Sequence, residues 1–251
     1  LLRRTKEEVA ADLPPPTTQV FYTEMTAQQQ KFYEKEKSRA RNFLLEHFEA
    51  GNPQFRIQVL QSLTRLRRLV NHPRLVEDTY EGGSGKFQDV REHWEQVRRS
   101  GHKVLMFSSF VRHLALYRAE MESAGAPYSW LTGEVAAARR EQAIRQFEED
   151  PRVQAFLISI KAGGTGLNLT AADYVFILDP WWNPTVEQQA IARAHRIGQD
   201  KHVIALKFIT RDSIEEKILK LQERKGNLAA DILEEAGKLD FSRKEIEYLF
   251  G

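Results

Sequence analysis

Two closely spaced arginines are the residues of this chain best suited to chemistry on an anion. Arg193 and Arg196 lie three positions apart in a predicted helix, so they share a helix face, and Gln189 lies one turn earlier. Two guanidinium groups on one face require carboxylates or phosphates opposite them. A solvated basic face is the usual alternative, but this helix has few acidic residues to balance its charge, and Gly198 ends it.

A glycine-rich segment is the second candidate site. Gly163, Gly164 and Gly166 follow a predicted buried strand, and so many glycines allow a backbone to approach a partner closely. Lys161 adds a positive charge just before them. The glycines alone fit a binding loop and an ordinary turn equally well.

A pair of serines, Ser108 and Ser109, lies between a predicted strand and a predicted helix. Small hydroxyl groups and free amides at a helix start suit an anion such as a DNA phosphate. The alternative is a serine helix cap without any ligand. Open parallel sheets bind ligands beyond the carboxyl ends of their strands, and all three segments occupy such positions in the predicted order of elements.

The elements that position these segments alternate between strands and helices. The apolar runs Ala155–Ile160 and Tyr174–Leu178 are typical of strands that are covered on both faces. Alternation with amphipathic helices predicts an α/β fold, in which a parallel sheet has helices on both faces. The other predicted strands are Lys103–Phe107, Tyr128–Leu131 and His202–Ile209, and the helices after them span about 111–121, 136–147, 185–197 and 213–225.

The first third of the chain has a different pattern, with almost no strand signal. Residues 1–25 are predicted to be a connector, which Pro14–Pro16 keep extended. Thr26 and Gln29 form a capping-box pattern that begins a helix ending near Ala50. A second helix follows with an apolar stripe at Phe55, Val59, Leu63, Leu66 and Val70. We therefore divide the chain into a connector (1–25), a helical insertion (26–80), an α/β domain (84–212) and a C-terminal helical brace (213–251), with a flexible joint at 81–85.

The composition is that of a globular protein, with 41 % hydrophobic and 29 % charged residues. No run approaches the roughly 18 apolar residues that span a bilayer, which argues against a membrane protein. The absence of cysteine excludes disulfides and thiolate metal sites. Because Lys and Arg total 37 against 35 Asp and Glu, net charge indicates nothing about nucleic acid. The local distribution of charge is more informative than the net charge. No acidic residue lies between Phe55 and Val76, and this segment contains five arginines: Arg56, Arg65, Arg67, Arg68 and Arg74.

Two segments imitate nucleotide-binding motifs and are better explained otherwise. Gly82–Lys86 resembles a phosphate-binding loop, but Tyr80 occupies the position of its first glycine and Phe87 that of the magnesium-binding hydroxyl group. Val175–Asp179 imitates an apolar strand with a magnesium-positioning acid, yet Pro180 follows it. A hinge and the end of a buried strand are the preferred interpretations. The histidines show no metal-ligand spacing, and no serine-nucleophile elbow occurs.

Several longer motifs, taken in order, resemble the Swi/Snf family of DNA-dependent ATPases. The strongest are Lys161–Thr170, Asp179–Pro184 (Asp-Pro-Trp-Trp-Asn-Pro) and Arg193–Gln199 (Arg-Ala-His-Arg-Ile-Gly-Gln). Further segments match in the right order, namely Leu1–Lys6, Leu66–Pro73, Ser84–Lys86 and Leu131–Glu134. The resemblance covers essentially the whole chain.

The resemblance implies the second RecA-like motor lobe of a helicase superfamily-two translocase. In that family ATP with Mg2+ is bound between two lobes, and the first lobe supplies the Walker loop and the Asp-Glu-x-His box, neither of which occurs in this sequence. We therefore expect a chain that begins after the first lobe, is part of an ATP hydrolase and is inactive alone. The resemblance assigns Arg193 and Arg196 as arginine fingers, with Gln189 opening the same motif. Gly166 and Asn168 match the loop that approaches the nucleotide.

The same resemblance places five residues on motifs that contact the DNA backbone: Ser108, Ser109, Thr132, Lys161 and Thr165. Arg139 is a weaker candidate. Two alternatives are open for Trp181 and Trp182, which either brace a DNA-facing loop or pack as hydrophobic anchors. Two are likewise open for Arg65 and Arg68, which either contact DNA or form a solvated helix face. The implied partners are double-stranded DNA, the first lobe of the same polypeptide and a DNA-bound protein target. The implied location is intracellular, in prokaryotic cytoplasm or a eukaryotic nucleus.

Two other functions remain open at this level. One is a DNA-binding or scaffold module that has lost catalysis but kept the fold, against which the intact arginines and glycines argue. The other is a strand-separating RNA or DNA helicase of the wider superfamily. The Trp-Trp-Asn-Pro and His-Arg-Ile-Gly-Gln segments resemble the double-strand translocases more closely. The remodelled target is not encoded in these residues.

Overall fold

A computed structural model describes residues 14–163, 166–181, 183–225 and 241–251. Its strands are β1 (Thr17–Thr23), β2 (Val104–Ser108), β3 (Tyr128–Leu131), β4 (Ala155–Ser159), β5 (Tyr174–Ile177) and β6 (Ile204–Thr210). Its helices are α1 (Ala27–Glu46), α2 (Pro53–Asn71), α3 (Gly85–Arg99), α4 (Val111–Ser123), α5 (Ala137–Glu149), α6 (Ile160–Gly163), α7 (Pro184–Ala194), α8 (Ile214–Lys225) and α9 (Arg243–Phe250).

The strands form one sheet in the order β1-β6-β5-β2-β4-β3. Strand β2 pairs in parallel with both β4 and β5, so that Phe107 lies opposite Ile158 on one side and Ile177 on the other. Every residue of β2 and β4 is buried, as expected for strands with helices on both faces. The predicted α/β fold with a parallel sheet is therefore confirmed.

Strand β1 lies in the segment that the sequence analysis predicted to be a connector without strand signal, and that part of the prediction is wrong. The amide of Thr17 donates to the carbonyl oxygen of Val203, and the amide of Arg211 donates to that of Thr23, so β1 runs parallel to β6. The sequence carries a weak compositional signal for this strand. Residues 17–23 are rich in threonine, valine and aromatic residues, which favour strands.

The two long helices of the first third begin where the sequence predicts. The hydroxyl group of Thr26 accepts a hydrogen bond from the amide of Gln29 at 3.2 Å and caps α1. Asn52 caps α2 in the same manner through the amide of Gln54. The predicted apolar stripe of α2 is buried along its whole length, at Phe55, Val59, Leu63, Leu66 and Val70. Among the described helices, none is long and apolar enough to span a membrane.

The glycines at 82–85, predicted to be a flexible joint, are closely packed. A Cβ atom added to Gly85 would lie 1.7 Å from the carbonyl oxygen of Glu24, and one added to Gly82 would lie 2.4 Å from the hydroxyl oxygen of Tyr80. The position of Gly85 therefore requires glycine because the backbone of Glu24 passes close by, whereas a side chain at Gly82 would require the ring of Tyr80 to shift. Gly85 is also the first residue of α3.

The described residues divide into two compact units, each with its own core. Unit 1 contains the residues up to Val20, His93–Ile177 and Glu187–Lys207. Its core lies around the central strands and includes Leu105, Phe107, Phe147, Phe156, Ile158, Val175, Ile177 and Ile191. Unit 2 contains Phe21–Glu92, Leu178–Val186 and the described residues from Phe208 onward. Its core joins α1, α2, α8 and α9 through Tyr33, Leu44, Leu63, Leu66, Ile214, Ile218, Ile246 and Phe250.

The C-terminal brace is described only in part. Helix α9 begins with a complete capping box, in which the Ser242 hydroxyl group accepts from the amide of Glu245 and the Glu245 carboxylate accepts from the amide of Ser242. The sequence predicts one or two short helices in the tail. The part of that prediction that falls on residues 226–240 lies outside the described residues.

Candidate functional site

One part of the candidate site in unit 1 lies at the carboxyl edge of three neighbouring strands. Ser108 is the last residue of β2 and pairs with Ser159, the last residue of β4. Strand β3 ends at Leu131, opposite Ile158, and Thr132 follows it directly. Because these strands are parallel, Ser108, Thr132 and Lys161 all lie at one edge of the sheet, where the sequence predicts the serine pair and the glycine-rich segment.

The side chains at this edge differ in exposure. Ser108 is buried, and its hydroxyl group accepts a hydrogen bond from the amide of Phe110 at 3.0 Å. Thr132 is also buried, and its carbonyl oxygen accepts from the amide of Val135 in the following turn. Ser109 is half-buried and Lys161 is exposed. Lys161 is therefore the member of this set with a charge in solvent, while Ser108 shapes the turn. Thr165 lies outside the described residues.

In the loop after α6, buried and exposed residues alternate. Leu167 and Leu169 are buried in the core of unit 1, whereas Gly166 and Asn168 between them are exposed. Gly166 has a φ of +49°, and apart from its own chain neighbours no atom of the described residues lies within 4 Å of the position where its Cβ would be. The two leucines thus fix the loop and present Gly166 and Asn168 outward.

Helix α7 supplies the first of the two arginines. Ala190, Ile191 and Ala194 pack into the core, while Gln189 is exposed and Arg193 is half-buried. The helix ends at Ala194 rather than near Ile197, so the expectation that Arg196 shares a helix face with Arg193 is wrong. Arg196 instead lies in the turn that follows the helix. Because α7 leads from the carboxyl end of β5 to the amino end of the parallel strand β6, its last turn lies toward the amino ends of the strands, so the expectation that this segment lies beyond their carboxyl ends is also wrong.

The glycine-containing loop holds both arginine segments. Nη1 of Arg196 donates to the carbonyl oxygens of Leu167 at 3.0 Å and Gly166 at 3.3 Å. The amide of Leu169 donates to the carbonyl oxygen of Arg193 at 3.0 Å. Two of the three segments singled out in the sequence are therefore joined directly by hydrogen bonds.

The electrostatic state of Arg193 indicates a place for an anion. Burial lowers the pKa of its guanidinium group, and the positive charge of Arg196 lowers it further. Its Nε atom is buried and has no hydrogen-bond partner among the described residues. A desolvated cation beside a second cation is stabilised by a negatively charged partner, which can also accept the hydrogen bond of Nε.

Gln199 contributes to this arrangement although the sequence analysis gave it no role. Its side-chain nitrogen lies within hydrogen-bond distance of the carbonyl oxygens of Thr170, Ala172 and Ala194. The sequence places Gln199 inside a recognised motif, but nothing in the spacing predicts that the amide turns back into the protein.

Arg139 is exposed, and the neighbouring Arg140 contacts the carbonyl oxygen of Ala162 at 3.5 Å.

Comparison with known proteins gives a consistent family. The model of the helicase conserved C-terminal domain matches residues 85–198, and the model of the SNF2-related domain matches residues 1–75. The C-terminal domain of the Sulfolobus solfataricus SWI2/SNF2 ATPase superposes with a TM-score of 0.75 at 27 % identity, covering 94 % of this chain and 98 % of that one. The chain belongs to the Swi/Snf family and contains its C-terminal RecA-like lobe.

Two further matches agree with the Swi/Snf assignment. The Sulfolobus solfataricus SWI2/SNF2 ATPase core in complex with double-stranded DNA has a TM-score of 0.80 at 30 % identity, covering 99 % of this chain and 53 % of that one. A mouse chromodomain-helicase-DNA-binding protein 1-like is 36 % identical over 244 residues, which are 93 % of this chain and 26 % of the relative. The chain spans less than a third of the length of the curated relatives it matches.

In unit 2 of this Swi/Snf lobe, much of the basic run on α2 makes internal contacts. Arg65 forms an ion pair with Glu36 at 2.6 Å. Arg67 is buried and donates to the carbonyl oxygen of Pro180 at 3.0 Å, with the Asp179 carboxylate at 3.4 Å. Arg74 donates from Nε to the carbonyl oxygen of Tyr80. Arg68, in contrast, is exposed. The local excess of positive charge therefore does not form one continuous binding face.

Lys86, the lysine of the segment that imitates a phosphate loop, is fully buried in unit 2. Its Nζ atom lies 2.5 and 2.6 Å from the two carboxylate oxygens of Glu215 and also donates to Asn71 and to the carbonyl oxygen of Leu178. Burial lowers the pKa of Lys86 and raises that of Glu215, while each charge counteracts the shift of the other. Lys86 thus makes structural contacts.

Asp179 is buried as well, Trp181 is half-buried and Trp182 lies outside the described residues.

Proposed function

We propose that this chain is the second lobe of an ATP-dependent motor that tracks along double-stranded DNA. In this proposal Arg193 and Arg196 act on ATP held mainly by the first lobe of the same polypeptide, and the carboxyl edge of the sheet contacts the DNA backbone. The observation that carries the nucleotide part is the buried Nε atom of Arg193, which lacks a partner among the described residues beside the second cation, Arg196.

The two arginines supply electrostatic stabilisation. A guanidinium group that is already desolvated interacts more strongly with a phosphoryl group than one in water. Removal of such a group costs about 10³–10⁵ in turnover in phosphoryl-transfer enzymes. Gln189 is exposed on α7, and Gly166 and Asn168 are exposed on the loop that holds Arg196, so these three residues are assigned to the nucleotide side.

Magnesium is assigned to the first lobe. The described residues include no group of three or more histidine and carboxylate side chains that could hold a metal ion. When bound with ATP, Mg2+ supplies charge neutralisation on the phosphates. The residues of this chain contribute positive charge through Arg193 and Arg196.

The DNA side is assigned to Lys161 with the backbone and hydroxyl groups around it. Lys161 offers the exposed charge, Ser109 lies at the start of α4, and the buried Ser108 and Thr132 shape the turns that present backbone amides. Thr165 keeps its assignment from the family motif. Contacts of this kind read phosphates rather than bases, so tracking would be independent of sequence.

The remaining assignments follow from the family. A DNA-bound protein is the object that such a motor would move, and an intracellular location follows from a DNA substrate. The solved relative in complex with double-stranded DNA supports a duplex rather than a single strand. This favours a translocase over a strand-separating helicase.

An ATPase assay of two preparations tests the proposal. The full-length protein should hydrolyse ATP faster with duplex DNA, whereas the 251-residue chain alone should show no turnover with or without DNA. DNA-stimulated turnover by the chain alone would contradict the assignment of a second lobe. A strand-displacement assay with the full-length protein separates the translocase from a helicase, because the translocase should release no strand.

A further inference from the structure

The side chain of Gln199 connects three parts of unit 1. Gln199 is buried, and its Nε2 atom lies 2.8 Å from the carbonyl oxygen of Ala172, 3.1 Å from that of Thr170 and 3.1 Å from that of Ala194. Its Oε1 atom accepts a hydrogen bond from the amide of Lys201 at 2.9 Å. A primary amide has two hydrogens, so the three carbonyl groups share them, and both ends of the amide are used.

The backbone around Gln199 is shaped to bring this amide back under the helix. Gly198 has a φ of +97°, a value that glycine adopts readily, and the amide of Gln199 donates to the carbonyl oxygen of Arg196. Ala194 is the last residue of α7, and its carbonyl oxygen accepts from the backbone amide of Arg196 at 3.1 Å as well as from Gln199. Gln199 therefore adds a donor at the end of α7, where Arg193 lies in the last turn and Arg196 in the turn that follows.

The other two carbonyl groups belong to the loop that presents Gly166 and Asn168. Without Gln199, that loop and the end of α7 would still be joined by the bond from Leu169 to Arg193 and by those of the Arg196 side chain. However, the carbonyl groups of Thr170, Ala172 and Ala194 would lose a donor that they share, and only that of Ala194 would keep a second donor, the amide of Arg196, among the described hydrogen bonds. Buried carbonyl groups that lose their donor are costly.

We propose that Gln199 is a positioning residue that fixes the distance between the glycine-containing loop and the two arginines. It touches neither nucleotide nor DNA in this proposal. Its effect is to hold Arg193 and Arg196 in the geometry needed at the moment of phosphoryl transfer, where small displacements reduce the rate strongly. The inference rests on the proposed function of the arginines.

The chain provides a matched control in Gln154. Its side-chain nitrogen donates to the carbonyl oxygens of Arg98 at 3.0 Å and His102 at 3.3 Å, so it joins backbone segments in the same way. Gln154 directly precedes β4 and, like Gln199, lies toward the amino ends of the strands, but its contacts are with Arg98 at the end of α3 and with His102 before β2, not with the glycine-containing loop or α7. Substitution of either glutamine by methionine keeps the length of the side chain and removes its donor.

The test compares Gln199→Met and Gln154→Met in the full-length protein, with thermal unfolding measured for both. Gln199→Met should lower kcat about 10- to 100-fold and change the KM for ATP less than about threefold. Gln154→Met should keep the kcat of the wild type, also where the two variants lose the same amount of melting temperature. Equal kcat in the two variants would overturn the proposal. If Gln199→Met does not fold, Gln199→Asn keeps the amide but shortens its reach, and kcat should still fall below that of Gln154→Asn; equal values would again overturn it.

Amide hydrogen exchange separates this inference from the proposed function. The amide of Leu169, which is bonded to Arg193, should exchange faster in the Gln199 variant and at the wild-type rate in the Gln154 variant. If the wild-type protein shows no ATPase activity, the proposed function fails, but faster exchange at Leu169 would still support the connection made by Gln199. Unchanged exchange at Leu169 would contradict that connection whatever the activity.

Discussion

The guanidinium group of Arg196 donates a hydrogen bond to the carbonyl oxygen of Leu167 at 3.0 Å. The acceptor is a backbone carbonyl group, and the side chain of Leu167 is buried in the core of the unit. This bond therefore fixes the guanidinium group of Arg196 relative to that core. The neighbouring Gly166 also accepts from Arg196 at 3.3 Å. The loop that presents the exposed Asn168 therefore also determines where the arginine lies.

Replacement of Arg196 tests its proposed role in turnover. In the full-length protein, Arg196→Ala should lower kcat by about 10³–10⁵ because a charge that stabilises the transferring phosphoryl group is lost. ATP binding, measured by equilibrium titration, should change little. Arg152→Ala is a suitable control, because Arg152 is highly exposed and pairs only locally with Asp150. Wild-type turnover of Arg196→Ala would remove the arginine-finger assignment.

Lys161 is the residue to change for the DNA side. Lys161→Ala should weaken the binding of duplex DNA about equally for all sequences, and the slope of log affinity against log salt should fall by about 1. Both effects follow from the loss of one phosphate contact. Lys201→Ala is the control, since Lys201 is also exposed but precedes β6, at the amino end of a strand. An unchanged salt slope for Lys161→Ala would mean that Lys161 contacts no phosphate.

Asp150 provides a pH-dependent prediction. Hydrogen bonds from Arg152 hold the pKa of the Asp150 carboxyl group at about 2. Because this value is below that of the unfolded chain, the ionised group stabilises the folded state above about pH 4, and the contribution is lost as the pH falls toward 2.

Arg152→Ala should raise the pKa of Asp150 toward its ordinary value, which carbon-detected NMR titration of the carboxyl group can measure. The stability difference between the variant and the wild type should be present at neutral pH and be lost as the pH falls through about 2. Arg99→Ala removes another exposed arginine without touching Asp150 and should leave its titration unchanged. A pKa that stays near 2 in Arg152→Ala would show that Arg152 is not its cause.

The sequence predicted those features that depend on local pattern. The alternation of apolar runs and amphipathic helices gave the parallel sheet, and the stripe from Phe55 to Val70 gave the buried face of α2. The strand β1 was missed because its order depends on pairing with β6, nearly 190 residues later, as the bond between Thr23 and Thr210 illustrates. Local propensity is a weak indicator for such a strand.

The candidate site was predicted as a set of residues but not as a geometry. Helical periodicity continued past Ala194, whereas the chain turns there, so the sequence placed Arg196 on the wrong element. The burial of Arg67 could not be read from the basic run, nor that of Lys86 from its glycine-rich segment, because it depends on acids far away in the sequence, Asp179 and Glu215. Ion pairs of this kind are long-range and leave no periodic signal.

Those buried ion pairs lead to a prediction about stability. Lys86→Met should lower the free energy of unfolding by about 3–5 kcal/mol, because Glu215 is left buried without its partner. The double variant Lys86→Met with Glu215→Met should recover a large part of that loss, since apolar side chains of similar volume can replace a buried pair. Denaturant unfolding followed by circular dichroism measures both values.

The control for this prediction is an exposed pair on the same helix as Glu215. Lys220 and Glu216 lie 2.9 Å apart on α8, and Lys220→Met should change stability only slightly because solvent screens that pair. If Lys86→Met has as small an effect as Lys220→Met, the buried pair does not stabilise unit 2. If the double variant is less stable than the single one, the loss comes from packing around Glu215 and not from its unpaired charge.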